Sequence, residues 1–186
     1  MKSSRSTHPE LSVVVAVQSA EDVIGGAIVR IAAHLRSLGR SFEILAVNAG
    51  SWDTSFPILR LLSGEVPELR LLEKDIGARA FVRGAAEATG ETVVLLHAEQ
   101  VPVSFGPLGW ALSRLAAGTE AVVVRGHFVV ARRLLALPTL ARCRGRAELF
   151  ERGFEREAAD LAVEVVGRPR RPASGLLAPV WRLIAV

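Results

Sequence analysis

This chain has no tyrosine, one methionine and a single cysteine, Cys143, among its 186 residues. A lone cysteine excludes an internal disulfide and any cysteine zinc cluster, and it fits a reducing compartment. Aromatics make up only 5% of the sequence. No recognised nucleic-acid motif occurs, and no tyrosine is present to stack on bases, so nucleic acid is not an expected partner. No apolar run approaches the ~20 residues that cross a bilayer. The four histidines, His8, His34, His97 and His127, have no zinc-ligand spacing. No Gly-x-Ser-x-Gly nucleophile elbow occurs. The glycine pair of "GGAIVRIAAHL" (25–35) is not followed by Lys-Ser or Lys-Thr, which excludes a P-loop.

What is present is a globular composition. Half the residues are hydrophobic, enough for one domain with its own core. The net charge is +4, and only two of the 23 basic residues, Lys2 and Lys74, are lysine. By charge alone an arginine excess invites an anionic partner, whether nucleic acid, a phosphate-bearing ligand or an acidic membrane surface, and does not choose among them. The first ten residues, "MKSSRSTHPE", are polar and expected to fray. They could serve as the basic start of a secretion signal, with "LSVVVAV" as its apolar part. That apolar part is short, and Glu10, Glu21 and Asp22 flank it, so a cytoplasmic location is expected.

From residue 11 the pattern alternates. "LSVVVAV" (11–17), "FEILAV" (42–47), "ELRLLE" (68–73), "TVVLL" (92–96) and "EAVVV" (120–124) are short β-branched or leucine runs and predict buried strands. Between them, Ile24, Ile28, Ile31, Leu35 and Leu38 recur at helical spacing and Gly39 stops the helix. Further helices are expected after "NAGSWDTS" (48–55), over 78–89 and over 105–117. Downstream, "HFVVARRLL" (127–135) reads as a strand running into a helix. "RAELFERGFEREAADLA" (146–162) reads as a charged helix bent near Gly153, and "AVEVVG" (162–167) as a last strand. This alternation predicts an α/β fold with a mainly parallel sheet and helices on both faces. Residues 11–167 form that domain, and 168–186 carry a basic linker, "RPRRP", and an apolar tail. The tail is expected either to pack on this chain or a second copy, or to attach peripherally to anionic lipid at the inner face of the membrane.

Ligands of such sheets bind beyond the carboxyl ends of the strands. Three stretches lie there: Gln18-Ser19, Asn48 to Asp53, and His97-Ala98-Glu99. Read in order, "LSVVVAVQSAED", "FEILAVNAGSWDTS" and "GAAEATGETVVLLHAEQVP" resemble the family 2 glycosyltransferases, including small bacterial members whose fourth strand ends Leu-His-Ala-Asp. The resemblance covers residues 11–102 well and 120–171 loosely. It implies a GT-A, Rossmann-like fold and a nucleotide-sugar donor. Gly50, Ser51 and Asp53 match the family's second-strand motif, whereas Asn48-Ala49 stand where its paired acids are usual. Sugar-donor contacts are thereby implied for Gln18, Asn48, Asp53, Arg79 and His97. Glu99 stands at the last acid of the family's Asp-x-Asp, which implies a Mg²⁺ or Mn²⁺ ion shared with the diphosphate. An inverting member also needs a general base, and Glu148 and Glu151 lie nearest its expected place. The expected function is transfer of a sugar from a nucleotide to an unidentified acceptor. The alternative is an impaired relative that keeps the fold as a binding or scaffolding module. Oligomerisation is open on either reading.

Overall fold

The computed structural model describes residues 8–73, 79–101, 105–143 and 150–167. The predicted alternation appears as β1 (Leu11–Val17), α1 (Glu21–Ser37), β2 (Phe42–Asn48), α2 (Ser55–Ser63), β3 (Leu69–Leu72), α3 (Ala80–Glu87) and β4 (Thr92–His97). A single 3₁₀ turn, Ala98–Gln100, follows β4. The second half adds α4 (Gly106–Ala116), β5 (Ala121–Val124), β6 (Phe128–Arg132), α5 (Arg133–Arg142), α6 (Phe150–Glu157) and β7 (Val163–Val166). Gly39 ends α1 in the left-handed region (φ 65°), as its place in the sequence predicts.

One seven-stranded sheet has the order β3-β2-β1-β4-β6-β5-β7. Strands β1 to β4 are mutually parallel where they pair, and β7 is parallel to β5. Only β6 runs against its neighbours, β4 and β5. Its tight turn from β5 leaves no room for a crossover helix, so it must return antiparallel.

Residues of β1 alternate between two cores because successive side chains leave a strand on opposite faces. Val13, Val15 and Val17 pack under α1, α2 and α4, with Ile24, Ile28, Ile31, Leu59 and Leu112. Val14 and Ala16 face the other layer, with Phe81 and Ala85 of α3, Leu140 of α5 and Phe154 of α6. Helix α3 lies flush against the sheet there. A Cβ on Gly84 would stand 2.2 Å from Val14 Cγ1, so only glycine fits.

One local reading is corrected. The charged helix expected over 146–162 is described only as Phe150–Glu157, and its first residues lie outside the described ones. It stops because Ala162 and Val163 are drawn to β5: Glu120 N–H donates to the Ala162 carbonyl, and Ala121 pairs with Val163. Helix α5 runs through Pro138, although proline costs a helical hydrogen bond. The tail 168–186 and its expected packing lie outside the described residues. Among the described residues, no helix is long and apolar enough to cross a membrane.

At the amino-terminal end of the strands, Glu43 is buried and acts as a latch. Its carboxylate accepts hydrogen bonds from Ser12 Oγ (2.7 Å), from Thr89 N and Oγ1 (both 2.7 Å) and from Arg70 (2.6 Å). Burial alone would raise its pKa, but the Thr89, Ser12 and Arg70 donors outweigh it and hold the carboxyl below its ordinary value. A folded-state pKa below the unfolded one means stability that is present above the unfolded pKa and lost as pH falls through the folded one. Glu43→Gln is therefore expected to cost roughly 1–3 kcal/mol at neutral pH. It should also flatten the acid limb of stability, as urea melts between pH 7 and pH 3 would report.

Candidate functional site

The cleft lies where the sheet changes direction. Strand β1 pairs with β2 on one side and β4 on the other, with Val17 beside Asn48 and Ala16 beside His97. The turns that follow β1 and β4 meet at the carboxyl ends of the two strands, where open α/β sheets take ligands. Ala16, Gln18, Ser19, His97, Ala98, Glu99 and Gln100 line a cleft of about 410 Å³. That volume suits a small ligand. Three of the residues singled out in the sequence, Gln18, His97 and Glu99, thus share one cavity.

The 3₁₀ turn sets the exit of β4. It buries Ala98 and leaves Glu99 exposed at the rim, while His97 is half-buried. The His97 ring meets the Phe81 ring edge-on at 4.9 Å. This contact fixes the imidazole and brings the first turn of α3 to the cleft end of the sheet. Arg79, two residues before Phe81, stands at the N-cap position of that helix and is exposed. Arg83 forms the expected surface pair with Glu87 (2.6 Å), a contact of small energetic weight.

The second wall is held by the loop after β2. Asn48 Oδ1 accepts from the Gly50 and Ser51 amides (3.0 and 2.9 Å), and its Nδ2 donates to the Glu73 carbonyl (2.9 Å). Ser51 Oγ donates to the Val17 carbonyl (2.9 Å) and accepts from Ser19 N (3.2 Å). Asp53 Oδ2 accepts from Glu21 N (2.9 Å) and its Oδ1 from Ser55 N and Oγ (3.0 and 2.6 Å). Glu21 answers by accepting from Thr54 N and Oγ1 (3.0 and 2.6 Å). Each helix start is capped by an acid from the other, a two-helix version of the capping box. Asn48 and Asp53 therefore stand at the cleft end of the sheet with their oxygens committed to protein donors, and neither lines the cavity. Asp53, Thr54 and Ser55 are all residue types that cap helices, so the sequence offers three candidates for the start of α2. Local spacing gives no sign of the Glu21 partner of Asp53, because the pair is 32 residues apart.

Ser19 adopts φ 49°, the one left-handed non-glycine residue among those described. Such a residue costs of order 1 kcal/mol and persists only where its surroundings impose it. Here Ser51 Oγ holds its amide, and its own Oγ accepts from Trp52 N at 3.3 Å.

Glu151 sits farther along the same end. Strand β5 is parallel to β4 through β6, so the β5–β6 turn at Arg125–His127 lies at the cleft end. Extending the β4–β6 register by two residues sets His127 opposite His97. Glu151 Oε2 accepts from the Gly126 amide (2.8 Å), while Oε1 is buried with no hydrogen-bond partner. Burial is the main cause that pushes the Glu151 carboxyl above its ordinary value, with Glu155 adding to it. Arg125 is occupied by Glu155 (2.7 Å). Glu148 lies outside the described residues.

No group of three metal-ligating side chains occurs among the described residues. Glu99 offers an exposed carboxylate and His97 an imidazole on the same wall. That set suits a Mg²⁺ or Mn²⁺ ion that takes its remaining oxygens from a ligand's phosphates, not one resident in the free protein.

No protein-family model and no curated protein matches this sequence. Solved structures do. A mannosyltransferase from Pyrobaculum calidifontis, in complex with GDP-Man and Mn²⁺, aligns with TM-score 0.67 at 19% identity, covering 89% of this chain. The chain spans only 59% of that enzyme. Glucosyl-3-phosphoglycerate synthase from Mycobacterium tuberculosis, in complex with Mn²⁺, UDP and phosphoglyceric acid, aligns with TM-score 0.64 at 17% identity, covering 88% of this chain and 72% of its own. The fold of this chain is the GT-A type of α/β fold seen in these glycosyltransferases.

Proposed function

We propose that the chain binds a nucleotide-sugar in the β1–β4 cleft and transfers the sugar to an acceptor hydroxyl with inversion, as a family 2-like glycosyltransferase. The observation that carries this reading is the convergence of Gln18, His97 and Glu99 on one cavity at the point where the sheet changes direction. Complexes of the structural neighbours with GDP-Man or UDP and Mn²⁺ support the ligand class.

In this reading Glu99, assisted by His97, would hold a divalent ion, which would supply positive charge to offset that of a departing nucleoside diphosphate. Gln18 hydrogen-bonds the ligand from the opposite wall, and Arg79 supplies a positive charge near the phosphates. Asn48 and Asp53 act by shaping the loop. Glu151 is the proposed general base: its burial and unpartnered oxygen leave a carboxyl with a raised pKa, suited to accepting a proton. Glu148 keeps the same proposed role as the second candidate.

A second reading has one observation in its favour. Among the described residues a single carboxylate, Glu99, lines the cleft, which fits an impaired relative that binds and does not turn over. A thermal-shift panel of UDP-, GDP- and TDP-sugars, with and without Mn²⁺, tests the shared premise of both. At a ligand concentration of about 100 Kd, stabilisation of about 2.7 kcal/mol is expected, a rise of roughly 5–10 °C. A flat panel in the presence of Mn²⁺ would remove both readings.

A further inference from the structure

Trp52 is 93% exposed. In a chain with so few aromatics, an indole left almost wholly in water calls for a reason, because tryptophan is usually well covered. Its backbone is anything but loose. Trp52 N donates to Ser19 Oγ, Ser19 N donates to Ser51 Oγ, and Ser51 Oγ donates to the Val17 carbonyl. The Asn48 amide oxygen holds the two residues before it, and Asp53 and Glu21 lock the two after it. A fully exposed ring is thus mounted on a fixed backbone, one hydrogen bond from Ser19 in the cleft wall. Among the described residues the other exposed tryptophan, Trp110, lies on α4, and Phe42, Phe56, Phe81, Phe105, Phe128 and Phe154 are buried or half-buried.

A second observation bears on the same ligand. The natural reader of a base edge in this loop would be Asn48. Both acceptor positions of its Oδ1 are taken by the Gly50 and Ser51 amides, and its Nδ2 is engaged by Glu73. Asp53 is similarly committed at both oxygens. The loop offers a flat face, while the two side chains in it best suited to reading a base edge, Asn48 and Asp53, are engaged within the loop.

We infer that Trp52 stacks on the nucleobase of the bound nucleoside diphosphate, so that the base is held by its face and not read at its edge. The protein accordingly accepts purine and pyrimidine nucleotides alike. This rests on the nucleotide-binding reading of the cleft and deepens it to a substrate class. Stacking tolerates every base because every base has a π-face.

The test uses the full chain, calorimetric titration with Mn²⁺ present, and UDP, TDP, GDP and ADP as ligands, with inorganic pyrophosphate as a probe that has no base. Wild type is expected to bind the four nucleotides within about tenfold of one another, the span of about 1.4 kcal/mol. Trp52→Ala should weaken all four by about 5- to 150-fold, the worth of one stacked base. It should leave pyrophosphate binding unchanged, and Trp52→Phe should restore most of the loss. Because the side chain is exposed, the variant's melting temperature provides the control for folding. Nucleotides that bind wild type and Trp52→Ala equally would overturn the stacking role while leaving the cleft reading intact. A wild type that prefers one base by more than about a hundredfold would overturn face-only recognition. A wild type that binds neither nucleotides nor pyrophosphate would overturn the cleft reading and the stack together.

Discussion

Glu99→Gln is expected to abolish Mn²⁺-dependent binding of the nucleotide-sugar while the protein without ligand melts within a few degrees of wild type. Glutamine has nearly the same size and keeps one acceptor oxygen, so the exposed rim position is not disturbed. What it removes is the negative charge that a hard divalent ion seeks. Glu99 follows a strand and is not packed, so the stability change should stay under about 1 kcal/mol, or about 2–4 °C in a chain this long. His97→Ala should weaken binding less, since imidazole is the softer partner for Mg²⁺ or Mn²⁺. It should cost more stability, because the ring packs against Phe81. Calorimetry and thermal melts on the two variants check both halves. Equal Mn²⁺-dependent affinity in wild type and Glu99→Gln would remove the metal role.

Glu151→Gln is expected to lower the turnover number by about 10²- to 10⁴-fold, the usual worth of a positioned general base, with affinity for the sugar donor unchanged. The base must be deprotonated to act. Wild-type rate should therefore fall as pH drops through a pKa that burial raises above its ordinary value, and this acid limb should vanish in the variant. Stability should move the other way. A carboxyl whose folded pKa is raised binds its proton more tightly in the folded state, so its ionisation erodes stability as pH rises. Glu151→Gln removes that buried charge and retains an acceptor for the Gly126 amide, so its melting temperature at neutral pH should not fall. A pH–rate profile of each protein, beside its melts, separates a catalytic loss from an unfolded variant. A variant that keeps wild-type turnover removes Glu151 from the reaction.

Much of this architecture is legible in the sequence because the fold rests on short-range signals. Buried strands read as continuous Val, Leu and Ile runs, and α1 declares itself by its isoleucine spacing and by Gly39. Parallel β1–β4 follows from the strand–helix alternation, and it carries Gln18 and His97 to the same end without further information. The rest depends on contacts remote in sequence. The reciprocal caps of Glu21 and Asp53, and the capture of Ala162 by Glu120, join residues more than 30 positions apart. Periodicity therefore overextended the last helix. For the same reason the polar appearance of Asn48 and Asp53 did not disclose that their oxygens are spent within the loop. Trp52 could have been noticed as an aromatic inside a polar loop, but only the folded chain shows it exposed beside Ser19.

The central claim is that a nucleoside diphosphate and its metal sit between the carboxyl ends of β1 and β4. The most direct measurement is paramagnetic broadening of amide NMR signals when substoichiometric Mn²⁺ is added with UDP or GDP. The account predicts selective loss of Gln18, Ser19, Ala98, Glu99 and Gln100, dependent on the nucleotide, while Glu43 and Thr89 at the far end of the sheet stay sharp. Broadening centred on that far end, or the same pattern with Mn²⁺ alone and with Mn²⁺ plus nucleotide, would contradict it.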